Sequence, residues 1–136
     1  MKLPIKGGCF CEKIRYAITQ PPKRMGICHC RACQKATGSS YFPYVAVLRD
    51  ALTITGHVKW HESLGYSGNK VNRGFCDNCG TTLFGKPDAL PHIMTVSASS
   101  LDDISNYHPE IQVWVEEAQH WCYIDPHLKK FDKNPF

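Results

Sequence analysis

Hydrophobic and polar side chains alternate along several short segments of the chain, and this alternation predicts strands. In residues 13–19, Ile14, Tyr16 and Ile18 are separated by polar residues, which is the period of two expected of a half-buried strand. Other short segments rich in valine, isoleucine and aromatic residues predict strands at 41–48, 52–55, 58–61, 70–75, 81–84, 93–98 and 111–115. Because Gly56 separates 52–55 from 58–61, these two strands are expected to form a hairpin.

A single short helix interrupts this pattern. Arg31–Thr37 is the best helical candidate, and Gly38 follows it as a residue that commonly ends helices. Many short strands with turn residues between them predict a mainly β fold, with one short helix after the central cysteines. The 136 residues contain no repeat and no Gly/Ser/Pro-rich linker, so residues 1–136 are predicted to form one domain.

The composition of the chain limits the kinds of molecule that the protein is expected to bind. The chain has 16 basic and 12 acidic residues and a formal net charge of +4, which suits a small anionic substrate. The basic residues are dispersed rather than arranged in a stripe, which argues against nucleic acid as a partner. No apolar run approaches the roughly 20 residues of a membrane span. The amino terminus has no apolar signal core, so we expect a cytoplasmic protein without a membrane partner.

Eight cysteines are the most informative feature of the composition. Disulfides rarely persist in the cytosol, so cysteines at this density indicate metal or thiol chemistry. Seven of them form three clusters, at positions 9 and 11, at 28, 30 and 33, and at 76 and 79.

The first and last clusters are predicted to share one structural zinc ion. Cys9 and Cys11 lie two residues apart in an extended segment and so point to the same face. Cys76 and Cys79, followed by Gly80, form a tight knuckle in which both sulfurs converge. Closing a loop of this length costs roughly 3–4 kcal/mol, whereas structural zinc contributes about 10–16 kcal/mol. Disulfides or free thiols are the alternative.

The middle cluster is predicted to be an open, catalytic zinc site. Cys28, Cys30 and Cys33 lie too close together to join distant segments, and three thiolates leave the fourth tetrahedral position to water or substrate. Thiolate-rich zinc is soft, and its net charge of −1 weakens its power to acidify water. Capture of an incoming thiol is therefore its more natural use, and the chain is expected to bind two zinc ions.

Basic residues beside the middle cluster are the predicted substrate-binding groups. Arg31 and Lys35 lie among or just after its cysteines, and Lys23 and Arg24 lie a few residues upstream. Such cations offset the negative charge of three thiolates and hold an anionic substrate. The sequence assigns this role first to Arg31 and Lys35.

The alternative for the middle cluster is a closed structural site whose fourth ligand is His29, Cys122 or a distant histidine. His29 lies between two ligating positions of an extended segment, so we expect its side chain to point away from the metal. It is then a supporting or a surface residue. Cys122 has hydrophobic neighbours and is expected to be a buried free thiol.

The cysteine motifs and their neighbours form a pattern that is specific as a whole. The pattern is Gly8-Cys9-x-Cys11 with Arg15-Tyr16, then Cys28-His29-Cys30-x-x-Cys33 with Gly38-Ser39, then Arg73-x-Phe75-Cys76-x-x-Cys79-Gly80-Thr81. It resembles the glutathione-dependent formaldehyde-activating enzyme and centromere protein V family over nearly the whole chain, including Gly56, Ser63 and Trp121. The chain departs from the family at Glu12, where members commonly carry glycine, and the expected consequence is a change in that turn.

The resemblance implies a mostly β fold of small antiparallel sheets around a zinc ribbon, described as a β-tent. It also implies the condensation of formaldehyde with glutathione to S-hydroxymethylglutathione, which is a carbon–sulfur lyase activity. The ligands that it implies are Cys9, Cys11, Cys76 and Cys79 for structural zinc, and Cys28, Cys30 and Cys33 for the reactive zinc.

The expected reaction adds a thiol such as glutathione to a small aldehyde, or cleaves the adduct, with the thiol sulfur bound at the open zinc. No general acid stands out, and the candidates of suitable chemistry are His29, His61 and Tyr44. One rival hypothesis is a non-catalytic zinc-ribbon module that binds protein or nucleic acid. Another is zinc or redox buffering by the exposed cysteine cluster.

Overall fold

Short strands dominate the architecture, which a computed structural model describes for residues 2–65 and 68–135. The described part of the chain has one α-helix, α1 (Arg31–Thr37). Its strands are β1 (Ile5–Gly8), β2 (Arg15–Ile18), β3 (Arg24–Cys28), β4 (Phe42–Leu48), β5 (Leu52–Thr55), β6 (Lys59–Leu64), β7 (Lys70–Phe75), β8 (Thr82–Pro87), β9 (Ile93–Ser97), β10 (Ile111–Val113) and β11 (Lys129–Lys130). The mainly β fold and the helix at 31–37 are thus confirmed.

The strands form two sheets of different size. The smaller sheet is antiparallel and has the order β1-β2-β5. The larger sheet has eight strands in the order β11-β10-β3-β4-β9-β8-β7-β6. Within it, β10 runs parallel to both β3 and β11, and the other pairs are antiparallel. Helix α1 begins after a two-residue connection from the end of β3, which places the middle cysteines at the end of an inner strand of the larger sheet.

The core lies where the alternating side chains of the small sheet meet the large one. Tyr16 and Ile18 of β2 are buried, and the Tyr16 ring packs edge-on against Phe84 of β8 at 5.5 Å between centroids. Burying a side chain of this size stabilises a fold by roughly 1.5–3 kcal/mol. The strand predicted from the alternation at 13–19 therefore packs one of its faces into the core of the domain.

Arg15 and Tyr16 tie β2 to the segment that follows β9. Arg15 forms a two-point ion pair with Asp102, in which Nη1 donates to Oδ1 at 2.9 Å. The Tyr16 hydroxyl hydrogen-bonds the Ser100 hydroxyl at 2.7 Å inside the core. These two residues of the sequence pattern therefore have structural contacts on opposite faces of one strand.

The predicted hairpin of 52–55 with 58–61 is wrong. β5 pairs with β2 in the small sheet, whereas β6 pairs with β7 in the large one. Gly56, with φ of +97°, lets the chain leave one sheet for the other. Short-range spacing identified both strands but carries no information about which partner each one takes.

Gly56→Ala is expected to destabilise the protein by roughly 2–5 kcal/mol, because it combines left-handed backbone strain with overpacking. A Cβ at this position would lie 2.1 Å from the carbonyl oxygen of Lys13. Gly38→Ala is the matched control, since Gly38 also has positive φ (+70°) but no atom of the described residues would lie within 4 Å of its added Cβ. Urea unfolding of both variants measures the difference, and equal losses of stability would contradict the steric argument.

The segment 111–115 is only partly a strand. β10 is buried at all three of its residues rather than at alternate ones, since it lies between β3 and β11 inside the sheet. The chain then turns at Trp114, whose φ of 57° is left-handed. No helix in the described ranges is long and apolar enough to cross a membrane.

Candidate active site and metal centres

The first and last cysteine pairs meet at one point. Cys9 and Cys11 lie in the connection between β1 and β2, and Cys76 and Cys79 lie in that between β7 and β8. Their four sulfurs lie within 4.8 Å of one another, with 3.6 Å from Cys9 to Cys11 and 3.7 Å from Cys11 to Cys76. Zinc–sulfur bonds of about 2.3 Å give a tetrahedron with edges of about 3.8 Å. Four free thiols at this spacing fit a zinc ion.

Thr81 links the two turns that carry these cysteines. Its hydroxyl oxygen accepts a hydrogen bond from the Phe10 amide at 3.1 Å and lies 3.1 Å from the Cys79 sulfur. The Thr81 hydroxyl and backbone lower the pKa of Cys79 to about 5. Gly80, with φ of +79°, donates its amide to the Cys76 carbonyl at 2.8 Å and closes the knuckle. The Thr81 side chain and the local backbone therefore favour the thiolate form of Cys79, whereas burial and the neighbouring thiols raise the pKa of Cys76 to about 11.

Glu12 lies at the turn after Cys11 and has φ of 65°. A non-glycine residue in the left-handed region costs roughly 1–2 kcal/mol. Its amide donates to the Cys9 carbonyl at 3.1 Å, which holds this conformation. Glu12, at which the chain departs from the glycine expected of the family, thus lies at a backbone position that favours glycine.

The middle cluster forms where β3 passes into α1. Cys28 is the last residue of β3, Cys30 is the N-cap of α1, and Cys33 lies in its first turn. The Cys33 amide donates to the Cys30 sulfur at 3.2 Å, so Cys30 caps the helix. The three sulfurs lie within 4.8 Å of one another, and each residue is half-buried. They converge on one point that is open to solvent, which is a donor set that fits zinc.

The three thiols do not ionise independently. Hydrogen bonds from Cys28 and then Cys33 lower the pKa of Cys30 to about 3, with a smaller contribution from the positive charge of Arg73. In return, the Cys30 and Cys33 sulfurs raise the pKa of Cys28 well above its ordinary value. The bare cluster thus holds one thiolate readily and resists a second. A bound cation is what allows all three to be thiolates.

No fourth metal-ligating side chain joins these three cysteines among residues 2–65 and 68–135. His29 is 1% exposed, and its Nε2 lies 3.0 Å from Oε1 of Gln112. Gln112 in turn donates its amide to the Asp125 carbonyl at 3.1 Å. His29 is therefore an internal support of the loop, and a surface position is wrong. Its Nδ1 is buried, and none of the residues that the structure describes forms a hydrogen bond with it.

Cys122 lies apart from both cysteine clusters. It is half-buried, and its sulfur lies 3.7 Å from the Ser40 hydroxyl oxygen. It is a free thiol, although less buried than its hydrophobic neighbours suggest. Cys122 therefore does not close the middle cluster.

Arg31 and Lys35 line a different cleft from the one that contains the middle cysteines. This smaller cleft, of about 460 Å³, also contains Gln119 and Trp121. The Arg31 guanidinium donates to the Gln34 side chain, and the Arg31 amide donates to Glu117 at 2.7 Å. The structure thus places both predicted substrate-binding residues away from the opening of the middle cluster, the trio Cys28, Cys30 and Cys33, and their role stays a prediction.

The middle cysteines open into a larger cleft of about 700 Å³, within the usual range for small-molecule sites. The inner face of the large sheet forms its floor, and α1 and the residues after β10 form its sides. Lys23 and Arg24, which the sequence places near the cluster, line it together with Lys70 and Arg73. The cleft is therefore positively charged and leads to the three sulfurs.

A row of residues across the floor ends in an arginine on each side. The strand register aligns Arg24 with Ala46, then Thr95, Gly85 and Arg73, and all five line the cleft. Four strand spacings separate the arginine backbones by about 19 Å. Small central side chains leave room between the two guanidinium groups.

Arg73 is held in place by Ser63 of the neighbouring strand, since its Nη1 donates to the Ser63 hydroxyl at 3.0 Å. In the sequence, Arg73 stands out only as part of the motif that precedes Cys76. Its place in the cleft follows from cross-strand register, which spacing along the chain does not reveal. The one feature of the sequence that could have pointed to a role for Arg73 is its position three residues before Cys76.

Comparisons with known proteins agree with this arrangement. The family model described as glutathione-dependent formaldehyde-activating enzyme matches residues 4–117. An uncharacterized lyase from Schizosaccharomyces pombe is 30% identical over 119 residues, which are 87% of this chain and 82% of the relative. The crystal structure of a Rhodobacter sphaeroides protein shares the fold with a TM-score of 0.60 at 13% identity, covering 93% of this chain and 99% of that one.

Proposed function

Because the chain belongs to the family of glutathione-dependent formaldehyde-activating enzymes, we propose that it is a carbon–sulfur lyase. Its substrate is the adduct of a thiol, such as glutathione, with a small aldehyde. The lyase name of the yeast relative supports the coarser statement that the protein is a lyase-like enzyme. The observation that carries the proposal is the group of three free sulfurs, Cys28, Cys30 and Cys33, which opens into a cleft and has no fourth ligand within the described ranges 2–65 and 68–135.

The same three cysteines would hold the reactive zinc ion, and the four sulfurs at the other end of the domain would hold a structural one. When bound at an open three-cysteine site, zinc supplies a ligand position at which a thiol is held as its thiolate. The cytoplasm, where thiols stay reduced, suits this chemistry.

Arg24 and Arg73 are the residues that we assign to the anionic ends of the thiol. They lie at opposite ends of one row on the floor, and both face the cleft. Guanidinium groups bind carboxylates with two parallel hydrogen bonds, which orients a substrate as well as attracting it. A thiol with separated carboxylates is thereby held across the sheet, with its sulfur directed to the trio.

The reaction itself needs only the two substrates and water. In synthesis, the thiol gives its proton to water, a sulfur lone pair forms the carbon–sulfur bond while the carbonyl π pair moves to oxygen, and this oxygen takes a proton back from water. In cleavage, the adduct hydroxyl gives its proton to water, the carbonyl re-forms, and the carbon–sulfur bond breaks with the electron pair on sulfur, which takes a proton back from water as the thiol leaves. Holding thiolate and carbonyl together supplies proximity, worth roughly 7–11 kcal/mol for well-oriented groups.

The test is zinc stoichiometry and sulfur coordination with and without added glutathione. We expect two zinc ions per chain and one additional sulfur neighbour at one of them when glutathione is added, measured by X-ray absorption at the zinc edge. The control is an oxidised or S-methylated glutathione, which lacks a free thiol. Two fully ligated zinc ions that ignore glutathione would overturn the proposal and favour a non-catalytic zinc-ribbon module.

A further inference from the structure

One side chain among those that the sequence offers for acid–base work reaches the cleft. His29 is buried behind the loop against Gln112, and neither it nor His61 lines the cleft that contains the trio. Tyr44 of β4 lines that cleft together with Cys28, Cys30 and Cys33. The structure thus separates one candidate from the other two by position alone.

The Tyr44 hydroxyl lies close to the reactive end of the cleft. Tyr44 is paired with Gly26 of β3, and a Cβ at Gly26 would lie 2.6 Å from the Tyr44 hydroxyl oxygen. The hydroxyl therefore lies over the Gly26 backbone, in the space that a larger residue would fill. Gly26 precedes Cys28 by two residues, which is about 7 Å along a strand. A group bonded to one of the three sulfurs therefore lies in the same part of the cleft as the Tyr44 hydroxyl.

This hydroxyl is available as a hydrogen-bond donor. The described residues provide it with no hydrogen-bond partner, and the nearby Gly26 carbonyl already accepts from the Tyr107 hydroxyl at 2.6 Å. The Tyr44 ring lies against Phe42, with 6.3 Å between centroids and 26° between planes. Burial, and then the charge of Cys28, raise the pKa of Tyr44 to about 12. Tyr44 therefore keeps its proton at neutral pH.

We propose that the Tyr44 hydroxyl donates a hydrogen bond to the substrate oxygen, which is the aldehyde carbonyl oxygen or the hydroxyl oxygen of the adduct. The proposal rests on the proposed lyase function. As the thiolate adds, negative charge develops on this oxygen, and a fixed donor stabilises it before water supplies the proton. Removing one such donor lowers kcat by about 10²–10³ in enzymes that stabilise an oxyanion.

Tyr44→Phe tests this role, because it removes one hydroxyl and keeps the ring. We expect kcat for exchange between formaldehyde and glutathione, measured by magnetisation-transfer NMR above the uncatalysed rate, to fall about 100-fold. Zinc content, thermal stability and the KM for glutathione should stay at wild-type values. Tyr41→Phe is the matched control, since Tyr41 contacts the His29 ring outside the cleft and should retain full kcat.

A binding measurement separates this proposal from the lyase function. Tyr44→Phe should weaken binding of S-hydroxymethylglutathione, kept formed by excess formaldehyde, about tenfold. It should leave the affinity for S-methylglutathione, which lacks the oxygen, unchanged. If Tyr44→Phe alters neither kcat nor this oxygen-dependent affinity while the wild type turns over, the Tyr44 role is wrong and the lyase function stands. If the wild type neither binds these thioethers nor turns over, both proposals are wrong.

Discussion

Replacing Cys30 by serine is expected to reduce turnover to the uncatalysed rate and to lower the zinc content from two ions to one per chain. Cys30 supplies one of only three sulfurs at the open site, and two thiolates do not hold zinc in a tetrahedral protein site. The fold should remain intact, because Cys30 also caps α1 by accepting from the Cys33 amide at 3.2 Å. Serine is among the preferred N-cap residues and replaces that hydrogen bond.

The measurements for Cys30→Ser are zinc by elemental analysis, far-ultraviolet circular dichroism and the rate of adduct cleavage. Cys122→Ser is the matched control, since Cys122 is a half-buried free thiol outside both clusters. It should retain two zinc ions and the wild-type rate. A Cys30→Ser protein that keeps full turnover would show that the trio does not carry the reaction.

Cys76→Ser is expected to unfold the protein rather than to inactivate it selectively. Cys76 is 1% exposed and belongs to the four-sulfur site that joins the β1–β2 and β7–β8 connections. Structural zinc contributes about 10–16 kcal/mol, which is comparable with the whole stability of a domain, about 5–15 kcal/mol. Loss of one ligand from a closed site therefore removes most of the free energy that stabilises the folded state.

Circular dichroism and thermal melting of Cys76→Ser measure this effect, with Cys30→Ser as the contrasting variant. The Cys76 variant should have no cooperative melting transition, whereas the Cys30 variant should melt near the wild-type temperature. Equal melting temperatures would contradict the division into a structural and a reactive site. A strong chelator should reproduce the unfolding of Cys76→Ser in the wild-type protein.

Local patterns were sufficient to predict the parts of this fold that depend on neighbours in sequence. Alternation identified β2, and the Gly38 signal identified the end of α1, where φ is +70°. Both are decided within a few residues. The joining of Cys9 and Cys11 with Cys76 and Cys79 was also within reach, because a four-thiolate site is specific enough to reveal a distant contact.

Contacts that depend on the order of the strands in the sheets could not be predicted from the sequence. The hairpin prediction failed because β5 and β6 belong to different sheets, although they are close in sequence. Arg31 and Lys35 adjoin the trio along the chain, but the turn of α1 directs them into the smaller cleft. Arg73 comes from a strand some forty residues later and faces the trio's cleft because β8, β9 and β4 lie between β7 and β3.

Hydrogen bonds join His29 to Gln112 and Gln112 to the Asp125 carbonyl, so the cysteine loop is supported by a residue far along the chain. The family match ends at residue 117, yet this relay continues eight positions past that boundary. A sequence aligned only over its shared region would contain every clustered cysteine and still omit one anchor of the loop between Cys28 and Cys30. Residues after the family match therefore help to support the loop between Cys28 and Cys30, so the structural unit extends beyond the region that the family model covers.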